Sequence, residues 1–115
     1  MNESILNTIK KMIGIEDNYD AYDTDIIVSI NAAFGTLNQI GIGPDEGFSI
    51  SDASTTWDAY TTEVTVLNLL KQYIYLKVKN VFDPSASSAV STSYDNVVKE
   101  LEWRLNMEHE KTVAQ

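Results

Sequence analysis

The sequence predicts an all-α protein, a small bundle of about four helices in one domain. Apolar residues recur at steps of three and four in four separate segments, which is typical of helices with one buried face. The longest of these segments, residues 64–84, carries two apolar stripes and is expected to form a long central helix. Strand-like alternation is brief, at residues 48–51. A chain of 115 residues can bury one modest core.

The first segment, residues 3–15, predicts a short amphipathic helix. Ile5, Ile9, Met12 and Ile13 fall on one face, Asn2 or Ser4 can cap the start, and Gly14 suits the end. The sequence leaves open whether this helix joins the core or docks on a neighbouring molecule.

The acidic stretch at residues 16–25, EDNYDAYDTD, predicts a polar turn that ends in a helix cap at Asp23 or Thr24. An EF-hand loop needs glycine at its sixth position and glutamate at its twelfth. Registers that start at Asp17 or Asp23 have neither residue, so calcium binding is not predicted.

The second helix is predicted over residues 26–40 and ends at Gly41. Gly35 lies inside it at a cost of about 1 kcal/mol relative to alanine, which predicts close packing against another backbone. Asn31 and Asn38 are expected on its solvent side.

The connection between the second and third helices is predicted to be irregular. Its residues 41–48, GIGPDEGF, are rich in glycine and lack the lysine of a phosphate-binding loop. The alternation at residues 48–51 predicts either a short strand or a loop, closed by Trp57 and Tyr60 packing on the core.

The central helix is predicted from Val64 to a stop at Asp83-Pro84, because proline removes a backbone donor. Its two stripes indicate burial on more than one side, either wholly within the subunit or partly against a neighbouring subunit. The first stripe consists of Leu67, Leu70, Ile74, Val78 and Val81, and the second of Val66, Leu69, Tyr73 and Leu76.

The C-terminal part predicts a linker, a helix and a tail. Residues 85–93, SASSAVSTS, are small and polar and predict a loop or linker, and residues 94–110 predict the last helix. We therefore expect one helical domain over residues 1–106 and a flexible tail over residues 107–115.

The charge is uneven along the chain. Residues 1–63 contain eleven acids and two lysines and so account for the whole net charge of −9, while residues 64–115 contain six charges of each sign. This charge disfavours binding to a phosphate backbone and suits a basic partner, or a surface that nucleic acid passes without binding. Lysines among the tyrosines of the central helix are only a weak pattern for base stacking.

Targeting signals and catalytic constellations are not predicted. Glu3 precedes Lys10 and Lys11, the reverse of the order in a secretion signal, and the central helix is too charged to cross a membrane. Cysteine is absent and His109 stands alone in a polar tail, so nucleophilic catalysis and thiolate metal sites lack their groups. We expect no catalytic, metal-binding or cofactor-binding residues, and no enzymatic activity.

Several motifs nonetheless resemble a known family. The pattern GIGPDEGFSI followed by TTWDAY, then YIYLK at residues 73–77, FDP at 82–84 and ELEWRLN at 100–106, is similar to the head–tail connector proteins of long-tailed bacteriophages. These are also called head-completion or adaptor proteins. The resemblance runs from the first helix to about Asn106, and Ser85 departs from it where a second proline is expected.

The resemblance implies a structural virion protein without cofactors. Such a subunit would form a ring of about twelve copies beneath the portal, extend the DNA channel and offer a docking surface to the next neck or tail protein. It would be made in the host bacterial cytoplasm and reside at the head–tail junction, away from membranes, with DNA passing through the ring without specific binding.

Two groups of residues are candidates for these contacts. The candidate subunit or partner interface consists of Leu69, Tyr73, Tyr75, Leu76, Lys77, Phe82, Trp103 and Arg104. The candidate acids facing the lumen or a partner are Asp17, Asp20, Asp23, Asp45 and Glu46.

Two other classes of protein are alternatives. A monomeric acidic interaction module of the DNA-mimic type, bound to a basic protein, would spread its acids over one continuous face. A small enzyme would need two carboxylates in a dry pocket, for which the sequence gives no pattern.

Overall fold

The computed structural model describes residues 2–82 and 88–114, and these form four α-helices joined by loops. They are α1 (Ile5–Met12), α2 (Asp23–Gln39), α3 (Val64–Phe82) and α4 (Ser88–Ala114), with a 3-10 turn at Trp57–Ala59. Over these described ranges, β-type pairing is limited to one isolated bridge between Ser4 and Thr56. The predicted all-α fold with a long third helix and an irregular connection before it is confirmed.

Helix α1 is part of the core. The Oγ of Ser4 accepts a hydrogen bond from the Asn7 N–H at 3.2 Å and so caps its start. The helix ends at Met12, earlier than predicted, because the chain turns away at Gly14, whose φ is +89°. Its buried side chains are Ile5, Leu6, Ile9 and Lys10.

The connection between α2 and α3 is fastened by two asparagines of α2. Asn31 donates from Nδ2 to the Ile50 carbonyl at 2.9 Å and accepts the Ile50 N–H at Oδ1, at 2.8 Å. Asn38 donates to the Pro44 carbonyl at 3.0 Å. Both asparagines are half-buried rather than solvated as predicted, and residues 48–51 form a loop rather than a strand.

Aromatic side chains close this connection over the core, as predicted. Trp57 is fully buried, and its Nε1 donates to the Oγ1 of Thr8 at 3.1 Å. The Tyr60 ring contacts those of Phe34 and Phe48, with centroids 5.0 and 5.1 Å apart.

Helix α3 is the centre of the bundle and is covered on two sides by its own chain. It packs most extensively against α4 and next against α2. Leu70 of the first predicted stripe and Tyr73 of the second are both fully buried, whereas Val81 is exposed. The subunit itself thus accounts for most of the two-sided apolar pattern.

Helix α4 is longer than predicted at its start. The predicted loop or linker at residues 85–93 is helical from Ser88, while its earlier residues and the proline stop lie outside the described residues. Serine and threonine cost only about 0.5 kcal/mol each in a helix relative to alanine, which is too little to stop a helix that packs on α3.

The backbone of α4 also continues past residue 106. It is helical as far as Ala114, and the last residue lies outside the described part of the chain. A domain boundary at residue 106 and flexibility of residues 107–115 in solution remain predictions.

The prediction for Gly35 is wrong. A Cβ built on Gly35 would meet nothing within 4 Å, and the residue is exposed on the outer side of α2. No other backbone of the described chain approaches it closely.

Candidate assembly surfaces

The structure divides the predicted interface residues between the core and the surface. Leu69 and Tyr73 are buried inside the subunit. Phe82, Trp103 and Arg104 are exposed on two different helices. The half-buried members are Tyr75, Leu76 and Lys77.

Tyr73 has a structural role in joining α3 to α4. Its hydroxyl donates to the Oε2 of Glu102 at 2.8 Å. Burial, and then the hydrogen bond and charge of Glu102, raise the pKa of the Tyr73 phenol, which therefore stays a neutral donor. The YIYLK and ELEWRLN motifs thus meet inside the subunit.

A groove opens where the ends of α1 and α3 meet, and we call it the α1–α3 groove. It has a volume of about 670 Å³. Met12, Tyr22 and Phe82 line it and are exposed, although large apolar side chains usually find cover in a monomer. The remaining lining residues are Lys11, Ile13, Gly14, Ile15, Tyr75 and Lys79.

The rim of the α1–α3 groove is basic in an otherwise acidic protein. Lys11 and Lys79 are both exposed and both border it. The Nζ of Lys79 lies 5.7 Å from the centre of the Tyr75 ring, a cation–π distance. The groove therefore combines an apolar floor with positive edges.

The outer side of α4 carries a convex strip, which we call the α4 strip. Trp103 is 63 % exposed, and Met107 is exposed one turn later. Glu100 lies three residues before Trp103, and Glu110 lies three residues after Met107. Both glutamates are on the same side of the helix and are exposed. Lys99, Arg104 and Lys111 flank this strip, so its surroundings carry charges of both signs.

A second depression, the α2 cleft, lies between α2, α3 and α4. It has a volume of about 390 Å³, and its floor consists largely of the small side chains of α2. Val28 and Val81 stand at its edge, and Val28 is 63 % exposed, as much as Trp103. Lys77 also borders this cleft.

The predicted acids lie in separate segments at the two ends of α2. Asp17 and Asp20 are exposed in the loop before α2, while Asp45 and Glu46 are exposed in the turn after it. The 17 residues of α2 separate these two groups by roughly 25 Å.

Asp23, the remaining acid, has a partner in its own chain. Its Oδ1 lies 2.8 Å from the Nζ of Lys10, whose side chain is almost completely buried. The same ammonium group donates to the Asp17 carbonyl at 3.1 Å. Asp23 is the first residue of α2 rather than its cap, and it fastens that helix to α1.

Neither a metal site nor a membrane span is found in the described residues. No group of three or more acidic or histidine side chains there lies close enough together to hold a metal ion. None of the helices, as far as they are described, is long and apolar enough to cross a membrane.

Exposed apolar side chains thus lie on separate helices of the described chain. A family model for phage connector proteins matches residues 5–112. The chain therefore belongs to the phage connector protein family, a family of structural proteins, and the resemblance seen in the sequence is confirmed. No curated protein and no solved structure matches the chain significantly.

Proposed function

We propose that this protein is a head–tail connector subunit that forms a ring beneath the portal of a phage capsid. In this role it extends the DNA channel and presents a docking surface to the next neck or tail protein. The observation that carries the proposal is the family match over residues 5–112. The ring would be of about twelve subunits and lie in the virion neck.

The distribution of exposed apolar side chains supports assembly. The α1–α3 groove and the α4 strip lie on different helices, so one subunit has apolar surface for more than one contact. Aromatic residues and methionine, which both surfaces carry, are enriched at the buried centres of protein interfaces.

The exposed acids support a channel wall that repels DNA. Asp17 and Asp20, or alternatively Asp45 and Glu46, would face the lumen or the portal. Asp23 is left out of this set because it pairs with Lys10.

Native mass spectrometry tests the proposal. The purified protein is measured alone and after mixing with the portal protein of its own phage. We expect a discrete multiple of the 12.8 kDa subunit in at least one of the two samples. A strict monomer that ignores the portal would contradict the connector function and favour the acidic interaction module.

A further inference from the structure

The two exposed apolar surfaces of this subunit are complementary in shape. The α1–α3 groove is concave, with Met12, Tyr22 and Phe82 along it. The α4 strip is convex, and its centre is the Trp103 side chain. Tryptophan in a partner's pocket is among the commonest energetic centres of protein interfaces.

Charged side chains border both surfaces. Lys11 and Lys79 border the groove, and both are exposed. Glu100 and Glu110 stand at the two ends of the α4 strip, with Trp103 and Met107 between them. Lys99, Arg104 and Lys111 flank the strip, so acids meet the basic rim only where the ends of the strip, rather than its flanks, lie beside Lys11 and Lys79.

The two surfaces also face away from each other. On α3, Tyr75 lines the groove, while Tyr73 points to α4. Because two residues correspond to about 200° around a helix, the groove lies on the side of α3 that faces away from α4. On α4, Trp103 is likewise two residues from Leu101, which is buried against the bundle. The groove and the strip thus lie on nearly opposite sides of the subunit.

A closed ring of identical subunits needs this arrangement. Each copy uses two different surfaces, one for each of its two neighbours. In a ring of about twelve copies, the directions from one subunit to its two neighbours differ by about 30° from directly opposite. Resting on the proposed connector function, we infer that the α4 strip of one subunit occupies the α1–α3 groove of the next copy. The occupant of the groove is thus a second copy of this chain.

Thiol cross-linking tests the inference, since the chain contains no cysteine. A variant with both Met12→Cys and Trp103→Cys is assembled with the portal, treated with a short bis-maleimide and run on a denaturing gel. We expect a ladder of covalent oligomers that extends to the full ring. Each single variant should give monomers, because a head-to-tail contact never brings two identical positions together.

The matched control places Val28→Cys together with Trp103→Cys, since the two parent side chains are equally exposed. This pair should give monomers. A ladder from the control pair but not from the test pair would place the strip in the α2 cleft instead. Dimers from either single variant would show a symmetric contact. Both results would overturn the inference.

A charge introduced at the strip provides a second readout. Trp103→Asp should leave the helical circular dichroism unchanged, because the side chain is exposed, and should abolish assembly detected by native mass. Val28→Asp should assemble as the unchanged protein does. Normal rings from Trp103→Asp would refute the contact while leaving the connector function intact, whereas failure of the unchanged protein to assemble would refute that function itself.

Discussion

At the scale of single residues, the pairing of Lys10 with Asp23 is the feature least expected from the sequence. Lysine is rarely fully buried in proteins. The isoleucines on the neighbouring face of α1 did not indicate that the Lys10 ammonium group lies inside the protein. The Asp23 carboxylate and the Asp17 carbonyl together satisfy that charge. The acidic turn is therefore partly an internal structural element.

Replacement of Asp23 tests this role. Asp23→Ala leaves the Lys10 ammonium buried without its counter-charge, so we expect the free energy of unfolding to fall by about 2 kcal/mol. Urea denaturation followed by circular dichroism measures the change. Asp20→Ala, at an exposed acid in the same stretch, should change stability by less than about 0.5 kcal/mol. Equal losses from both variants would argue against the ion pair.

Prediction at the level of single residues failed where a polar side chain of a helix forms hydrogen bonds with the backbone of a loop. Helical periodicity placed Asn31 and Asn38 on the solvent side of α2, whereas both are half-buried. It carried no information about where the following connection returns, so the contacts with Ile50 and Pro44 were not predicted. The exposure of Trp103 could be judged only once α4 had been placed against α3.

At the scale of elements, α2 contains a glycine without a packing partner. Gly35→Ala should raise the free energy of unfolding by about 1 kcal/mol, because alanine favours the helix and its Cβ would meet nothing within 4 Å. Thermal unfolding of the isolated protein measures the gain.

Gly43→Ala is a matched glycine-to-alanine variant for which the opposite effect on stability is expected. Gly43 has a φ of +90°, and a Cβ there would lie 2.6 Å from the Tyr60 hydroxyl, so this variant should be destabilised. A loss of stability in Gly35→Ala would mean that glycine at this position has a structural role that the packing within the subunit does not reveal.

The number and order of the helices could be predicted from the sequence, but the residues at which they begin and end were harder to predict. Apolar periodicity placed four helices correctly, because each has a face that must be buried. The start of α4 was missed because residues 89–93 are exposed and mostly small and polar, so no buried face marks them as helical, although serine and threonine lower helix propensity too little to end a helix. The groove was not foreseen as a unit, since Met12, Tyr22 and Phe82 come from three separate segments.

At the scale of the whole molecule, the negative charges of residues 1–63 should repel one another. The entire net charge of −9 belongs to residues 1–63, which include α1 and α2. We expect the free energy of unfolding at pH 7 to rise by roughly 1 kcal/mol between 10 and 150 mM NaCl, because the screening length falls from about 30 Å to about 8 Å.

Thermal unfolding in NaCl and in KCl measures this effect. The two salts should act equally if screening is the cause. A lower melting temperature at the higher salt concentration would show instead that attractive pairs, such as Lys10 with Asp23, dominate the electrostatics of the fold.

The hydrogen bonds of Asn31 also determine which parts of this chain are open to association. The N–H and the C=O of Ile50 both bond to the Asn31 amide, which takes the place of a neighbouring strand. Exposed backbone edges of extended segments are templates for uncontrolled strand addition and aggregation. By closing this stretch of backbone with a side chain of its own helix α2, the chain leaves side-chain surfaces, rather than backbone groups at Ile50, as the places where another protein can bind.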